Sequence, residues 1–196
     1  MLWRHGQTTW NLEQRYQGQT DIPLDETGMA QAEYAAKRLA TLRPDAIISS
    51  DLIRAQQTAG ALARLTGLPV TLNKELRERS GGGWEGLLDT EIRQRFPAER
   101  TSWNPPGGET DAVVADRVSA AFTNILDDMG DGHLYVVASH GGALRLGMER
   151  ILGLPPRILG PLVNCSWSVL GFSDQHWRLM EYNSTSVPEP VLGDDR

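Results

Sequence analysis

The sequence predicts a three-layer α/β/α sandwich built around a mostly parallel central sheet. Short apolar runs alternate with amphipathic helical patterns along the 196 residues. This alternation is typical of a parallel sheet that has helices on both faces. Two late strands with no helix between them predict an antiparallel edge. We expect one domain over residues 1–186, followed by a mobile acidic tail over 187–196.

The amino-terminal half predicts three short strands and two helices. Thr27 and Ser50 stand at the starts of helical patterns and are the predicted N-caps. Gly67, with Pro69 beyond it, ends the second helix. A loop rich in Gly and Trp then occupies 79–86. The predicted elements are a strand over 1–4, a helix over 27–42, a strand over 46–48, a helix over 51–66 and a strand over 70–72.

The carboxyl-terminal half begins with a polar helix and a loop over 103–108, whose Asn-Pro-Pro-Gly-Gly run interrupts helical structure. An amphipathic helix follows, because apolar residues recur at three- and four-residue steps from Val114 to Met129. A later helix ends near Gly153 and Pro155. The predicted elements are helices over 89–96, 114–129 and 142–152, a strand over 134–138, and hairpin strands over 166–172 and 177–182.

Composition and charge exclude several classes of function. The net charge of −6, without a basic stripe, argues against a general nucleic-acid binder. No apolar run approaches the roughly 20 residues that span a bilayer, and no secretion signal is visible, so we expect a cytoplasmic protein without a membrane partner. The single cysteine, Cys165, excludes an intramolecular disulfide, and its apolar context predicts a buried thiol rather than a nucleophile. The four histidines lack zinc-like spacing, so no metal site is predicted.

Three segments with unusual chemistry each follow a predicted strand. Ligands of open α/β sheets bind at the carboxyl ends of the strands, so the fold rule brings two histidines and two arginines to one edge. The segments are Arg4-His5-Gly6, Ser49-Ser50-Asp51-Leu52-Ile53-Arg54 and Ser139-His140-Gly141-Gly142.

Each of these residues taken alone has a second interpretation. Arg54 lies in the first turn of a helix, where the dipole disfavours a cation by about 0.3–1 kcal/mol unless an anion sits beside it. A surface ion pair with Asp51 would explain it equally well. His140 is either a core histidine bonded to backbone or a phosphate ligand at a helix N-terminus, and His5 is equally ambiguous.

Taken together and in order, the sequence blocks resemble the histidine phosphatase superfamily, the phosphoglycerate-mutase-like proteins with an Arg-His-Gly motif. The resemblance covers the chain from Arg4 to about Leu152, and blocks in the right order are far more specific than Arg-His-Gly alone. They are Arg4-His5-Gly6-Gln7-Thr8 with Asn11, Gln17-Gly18 with Leu24–Gly28 and Gln31-Ala32, Ser49–Ala55 with Thr58-Ala59, Leu76-Arg77-Glu78 with Gly83–Gly86, and Gly107-Gly108-Glu109 with Ser139–Gly142.

The resemblance implies a phosphoglycerate-mutase-like fold and a phosphatase that needs no metal or cofactor. It implies His5 as the nucleophile that forms a phosphohistidine, and Glu78 as the proton donor to the leaving group. The binding partner of the protein would be a small-molecule phosphate ester, and the resemblance is compatible with a homodimer. The remaining implied site residues are Arg4, Arg54 and His140 around the phosphate, with Asn11, Gln17, Gly18 and Gly141 binding its oxygens.

These residue types suit phosphoryl transfer. A neutral imidazole nitrogen is a competent nucleophile near pH 7 if its other nitrogen donates a hydrogen bond that fixes the tautomer. Arginine forks match phosphate oxygens and keep their charge. Glu78 must carry a proton before it can donate one. Its alternative is a loop salt bridge with Arg77 or Arg79.

Three functions stay open at this point. A mutase must hold its phosphohistidine, and such enzymes carry longer insertions than the 62 positions between Glu78 and His140, so a phosphatase is favoured. A non-catalytic phosphate-binding module is the third. Asn164-Cys165-Ser166-Trp167 and Trp177-Arg178-Leu179 are similar to segments of actinobacterial glucosyl-3-phosphoglycerate phosphatases and broad-specificity phosphatases. Loop side chains within 79–108 would then set specificity.

Overall fold

The computed structural model describes residues 1–185, so the tail predicted over 187–196, and residue 186, lie outside the described residues. Strands and helices alternate and end in a hairpin, as the sequence predicts. The elements are β1 (Leu2–Arg4), α1 (Thr9–Leu12), α2 (Glu26–Thr41), β2 (Ala46–Ser49), α3 (Ile53–Thr66), β3 (Val70–Leu72), α4 (Asp89–Arg95), α5 (Pro97–Ser102), α6 (Asp111–Asp127), β4 (Tyr135–Ser139), α7 (Gly141–Ile151), β5 (Trp167–Ser173) and β6 (His176–Ser184), with 3-10 turns at Lys74–Leu76 and Gly82–Trp84.

The sheet has six strands in the order β3-β2-β4-β1-β5-β6. Strands β1 to β4 run parallel, whereas β5 is antiparallel to β1 and β6 is antiparallel to β5. This confirms the mostly parallel sheet. Because β4 lies between β1 and β2, with Arg4 opposite Ser139 and Ser49 opposite Ala138, the three chemically unusual segments leave the sheet side by side.

Two apolar cores, one on each face of the sheet, produce the three layers. Neighbouring residues of a strand point to opposite faces: Trp3 packs with α2 and α3, and Leu2 packs with α6 and α7. The stripe predicted on α6 is confirmed at Val114, Val118 and Phe122, which are all buried. None of the helices described within residues 1–185 is long and apolar enough to cross a membrane.

Both predicted N-caps are wrong. Asp25 caps α2, because its carboxylate accepts the Gly28 N–H at 2.7 Å, so the cap lies two residues before Thr27. Helix α3 begins at Ile53, after Leu52, which makes no side-chain cap. Ser50 instead directly follows β2, and its hydroxyl group lies in the buried site described below. Gly67 ends α3 in the left-handed conformation, as predicted.

Two short helices were not predicted. α1 is four residues long, too short for a periodic pattern, and a reciprocal pair of side-chain caps between Thr8 and Asn11 holds it. α5 starts at Pro97, a residue favoured at the first helical position. α1 contributes Asn11 to the wall of the cavity at the carboxyl edge of the sheet, and α5 ends next to Trp103, which also lines that cavity.

Candidate active site

A cavity of about 260 Å³ opens at the carboxyl edge of the sheet. Of the nine residues predicted for the site, seven line this cavity. The other two, His140 and Gly141, start α7 immediately beside it, and the ring centroids of His5 and His140 are 5.2 Å apart. The lining residues among those predicted are Arg4, His5, Asn11, Gln17, Gly18, Arg54 and Glu78.

His5 is buried and held in one orientation. Its Nδ1 lies 2.7 Å from the Gly6 carbonyl oxygen, to which it donates. Burial, followed by the nearby charges of Arg54 and Arg4, holds the pKa of His5 well below its usual value. The ring is therefore neutral near pH 7, and the hydrogen bond to Gly6 leaves Nε2 with its lone pair.

His140 is buried completely, and a hydroxyl group, not backbone, is its partner. Its Nε2 lies 2.9 Å from Ser50 Oγ, so the alternative of a core histidine bonded to backbone is wrong. Its Nδ1 has no hydrogen-bond partner among residues 1–185. Burial, and then the charges of Arg54, His5 and Arg4, also lowers the pKa of His140.

Arg54 is a buried cation with unused hydrogen-bonding capacity. Two of its N–H groups donate to the carbonyls of Gly18 at 2.7 Å and Thr20 at 2.9 Å. Burial lowers the pKa of Arg54 to about 10, which still leaves it charged at neutral pH. The predicted alternative, an ion pair with Asp51, is wrong because Asp51 binds Arg77 at 2.7 Å through both oxygens.

Three buried nitrogens of the predicted site residues, Arg4 Nε, Arg54 Nε and His140 Nδ1, lack hydrogen-bond partners within the described part of the chain. The two arginine nitrogens are donors, and His140 Nδ1 is a donor in the tautomer whose Nε2 accepts a hydrogen bond from Ser50. A buried donor left unsatisfied costs about 1–3 kcal/mol, and more when it is charged. An anion with several acceptor oxygens, such as phosphate, satisfies all three and also offsets the two buried positive charges.

Glu78 lies at the N-terminus of α7. Its carboxylate accepts the N–H groups of Gly142 at 3.0 Å, Ala143 at 2.9 Å and Arg79 at 2.8 Å. A Cβ on Gly142 would lie 2.7 Å from Glu78 Oε1, which explains the glycine. The predicted alternative, a salt bridge of Glu78 with Arg77 or Arg79, is wrong, since those arginines bind Asp51 and Asp111.

The amides of Asn11 and Gln17 have their oxygens occupied. Asn11 Oδ1 accepts from the Thr8 N–H and from Asn164, both at 3.2 Å, and Gln17 Oε1 accepts the Thr8 hydroxyl at 3.0 Å. The NH₂ groups are then left to donate towards the cavity. Gly18 has a φ of +54° and presents its carbonyl to Arg54.

Asn164 is a further residue of the site, which the sequence motifs did not predict. Its amide donates to the His5 carbonyl at 3.1 Å and to Asn11 Oδ1 at 3.2 Å, so it joins the segment of His5 to the Asn11 amide. The Asn-Cys-Ser-Trp segment, which resembles a segment of related phosphatases, was the sequence signal for this residue. Cys165 beside it is buried, as predicted, and burial raises the pKa of its thiol to about 12.

The mouth of the cavity includes Arg79 and Trp103, which belong to the predicted specificity segment 79–108, but the ion pairs at this mouth were not predicted. Arg79 is buried and saturated, because it donates to the carbonyls of Glu109 and Trp103 at 2.7 Å and to Asp111 at 2.5 Å. Asp111 also binds Arg157, which ties the start of α6 to the two loops that contain Arg79 and Arg157. Arg15, Tyr16, Arg145 and Leu146 complete this part of the lining. Within residues 1–185 no cluster of three or more His, Cys, Asp or Glu side chains suits a metal ion.

Comparisons with known proteins agree with this geometry. The model of the histidine phosphatase superfamily (branch 1) matches residues 1–185. The chain is 35% identical over 219 residues to the glucosyl-3-phosphoglycerate phosphatase of Mycolicibacterium vanbaalenii, covering 98% of this chain and 97% of that protein. It is 36% identical over 190 residues to the probable phosphoglycerate mutase GpmB of Salmonella paratyphi C, covering 90% of this chain and 86% of that protein. A mycobacterial glucosyl-3-phosphoglycerate phosphatase in complex with VO3 matches with a TM-score of 0.88 and 35% identity, covering 94% of this chain and 98% of that one.

Proposed function

The chain belongs to branch 1 of the histidine phosphatase superfamily and is a phosphomonoester hydrolase, and we propose that it works through a phosphohistidine on His5. One observation supports this assignment most directly. A neutral, oriented imidazole stands in the same site as three buried side-chain nitrogens that have no hydrogen-bond partner among the described residues. A nucleophile and a phosphate cage are thereby combined at one edge of the sheet.

Catalysis would proceed in two transfers. His5 Nε2 attacks phosphorus while Arg4, Arg54 and His140 stabilise the charge on the equatorial oxygens. Glu78 donates a proton to the leaving alkoxide and then accepts one from the attacking water. The NH₂ groups of Asn11 and Gln17, with the N–H of Gly141, bind the remaining oxygens, and Gly18 holds Arg54. No step requires a metal, so a chelator is expected to leave turnover unchanged.

The Ser50 hydroxyl has a supporting role in this scheme. It accepts the Leu52 N–H at 3.3 Å and contacts His140 Nε2 at 2.9 Å. If the hydroxyl proton points to Nε2, His140 carries its own proton on Nδ1, the nitrogen without a partner. That tautomer is the one that donates to a phosphate oxygen.

For the substrate we favour a phosphorylated glycerate such as glucosyl-3-phosphoglycerate. This compound appears in the name of a relative 35% identical to the chain. A glycerate also carries a carboxylate, which needs a cation outside the phosphate cage. Arg145 lines the same cavity on the α7 face of Gly142, three residues away, and binds none of the residues 1–185. Arg79 and Arg15, by contrast, already bind Asp111 and Glu13.

The experiment compares 3-phosphoglycerate with glycerol 3-phosphate, which has an alcohol in place of the carboxylate. A charged hydrogen bond contributes about 1.5–3 kcal/mol, so Arg145→Gln should raise KM for 3-phosphoglycerate at least tenfold and change glycerol 3-phosphate by less than about twofold. Arg150→Gln is the control, because Arg150 is exposed on the same helix and binds Asp116. Equal effects on both substrates would remove Arg145 from carboxylate binding.

A mutase is the second candidate, because GpmB is 36% identical to the chain. The two activities separate when 3-phosphoglycerate is supplied with 2,3-bisphosphoglycerate. We expect release of inorganic phosphate; rapid isomerisation with little free phosphate would favour the mutase. Absence of any turnover, with phosphate still bound, would favour the non-catalytic module. The cytoplasmic location, the homodimer, the single domain and the absence of nucleic-acid and membrane partners stay predictions.

A further inference from the structure

A second cavity, of about 250 Å³, lies next to the phosphate cavity. The two cavities share four lining residues, Asn11, Arg15, Tyr16 and Trp103. Each cavity alone is smaller than the roughly 300–1,000 Å³ of ordinary small-molecule sites, whereas the two together fall within that range. A substrate that fills only the first cavity would leave the adjoining space to water.

The walls of the second cavity are aromatic and nearly neutral. Trp10 is half-buried, and its ring makes no aromatic or cation contact with another described residue. The Gln14 side chain is exposed and forms no hydrogen bond within residues 1–185. The two charged residues of the lining are paired: Asp89 binds Arg93 and Arg100, each at 2.6 Å, and Arg15 binds Glu13 at 2.6 Å. A bound anion would therefore gain little electrostatic stabilisation in this cavity, in contrast to the phosphate cavity.

Trp103 forms a rigid boundary between the two cavities. It adopts a left-handed backbone conformation at φ +53°, which is strained for a tryptophan. Arg100 and Arg157 lie over its ring, at 4.3 and 5.0 Å from the centroid, and its carbonyl accepts from Arg79. Three contacts therefore hold Trp103 in this strained conformation at the mouth of the site. A side chain fixed in this way offers a preorganised surface against which a ligand can pack.

From these observations we propose that the second cavity is a saccharide subsite for the leaving group of the substrate. This inference rests on the proposed function, because it starts from a phosphate held beside His5. The leaving group then passes over the rim formed by Tyr16 and Trp103, and a neutral sugar ring packs against Trp10. An aromatic ring covers the apolar CH face of a sugar, and the Gln14 amide offers both a donor and an acceptor to its hydroxyls.

The test measures selectivity as the ratio of kcat/KM for glucosyl-3-phosphoglycerate to kcat/KM for 3-phosphoglycerate. Trp10→Leu should lower this ratio about tenfold, and Trp10→Phe should restore most of it, because an aromatic contact contributes energy of that order. Gln14→Asn should lower the ratio severalfold, since asparagine tolerates the left-handed conformation of position 14 at φ +59° but its amide is shorter. Trp177→Leu is the control, because Trp177 packs on Phe172 in the distant hairpin.

The outcomes distinguish failure of the saccharide subsite from failure of the proposed function. An unchanged ratio in Trp10→Leu and Gln14→Asn, from an enzyme that prefers the glucosylated ester, would overturn the saccharide subsite and leave the proposed function standing. The subsite would also be overturned if the wild-type enzyme hydrolyses 3-phosphoglycerate and glucosyl-3-phosphoglycerate with equal kcat/KM. A wild-type enzyme that prefers glycerol 3-phosphate to both acids would instead overturn the proposed substrate. If Trp10→Leu does not fold, Gln14→Asn and Trp10→Phe decide the question.

Discussion

At the scale of single residues, the two histidines depend on neighbours that fix their protons. The Gly6 carbonyl accepts from His5 Nδ1, and the Ser50 hydroxyl lies against His140 Nε2. Burial and the arginine charges keep both rings neutral. The reactivity of the site therefore depends on the tautomers of His5 and His140 as well as on the residue types present.

Replacing Ser50 tests this dependence. Ser50→Ala should lower kcat about tenfold to a hundredfold, because His140 loses the partner that orients its ring, and Ser50→Thr should restore much of the rate. The control is Ser49→Ala, since the Ser49 hydroxyl donates to the Ser50 carbonyl and does not reach His140. The readout is kcat with its pH profile. A Ser50→Ala enzyme with the wild-type rate and profile would show that His140 needs no such partner.

Side chains predicted from local sequence blocks lie together in the cavity, whereas contacts between residues distant in the sequence were not predicted. His5, Arg54 and Glu78 were located through their blocks. The ion pairs of Asp111 with Arg79 and Arg157 join positions 32 and 46 residues apart across loops, and no local pattern records such pairs. The same distance concealed Asn164, whose partners His5 and Asn11 lie at the other end of the chain.

At the scale of elements, the N-terminus of α7 organises the site. Its first turn supplies two N–H groups to Glu78. The glycines there leave room for site side chains, since a Cβ on Gly141 would lie 3.1 Å from Arg4 Nε. Helix α7 therefore begins with glycines although they weaken a helix.

Adding one methyl group to this turn tests the arrangement. Gly142→Ala places a Cβ 2.7 Å from Glu78 Oε1, so Glu78 must move and kcat should fall at least tenfold. Stability should hold or rise, because alanine favours a helix over glycine by up to about 1 kcal/mol. The measurements are kcat and urea unfolding. Gly160→Ala is the control, with no atom within 4 Å of its Cβ. Wild-type kcat in Gly142→Ala would contradict the proposed position of Glu78.

Element prediction depended on length and periodicity. The long amphipathic helices α2, α3, α6 and α7 were predicted to within a few residues. The short helices α1 and α5 were missed, because four to six residues contain no full apolar repeat. Helix starts were the other weak point: Asp25 and Thr27 are both good caps, and sequence alone does not show which side chain meets an N–H.

At the scale of the whole molecule, a chain of net charge −6 concentrates arginines at one cavity. Five arginines line it against two carboxylates, so the local field opposes the global one and attracts anions. The fold class followed from the alternation of elements. The strand order did not, since apolar strands of similar length can pair in several orders.

Two buried neutral histidines also make global stability depend on pH. Their folded pKa values lie below the unfolded value of 6.5, so the unfolded chain binds more protons as the pH falls. The free energy of unfolding should therefore decrease below pH 6.5, by up to about 1.4 kcal/mol per pH unit for each histidine. Urea unfolding between pH 7 and pH 5 measures the slope. His140→Asn should flatten it, whereas replacing the exposed His176 should not; equal slopes would contradict burial of neutral histidines.

The central claim is that His5 carries the phosphoryl group during turnover. Rapid mixing with 3-phosphoglycerate, an alkaline quench and peptide mass spectrometry measure this directly. We predict acid-labile phosphate on His5, formed at least as fast as turnover and absent from His5→Asn. Turnover without phosphate on the protein, or phosphate found on His140 instead, would contradict the claim.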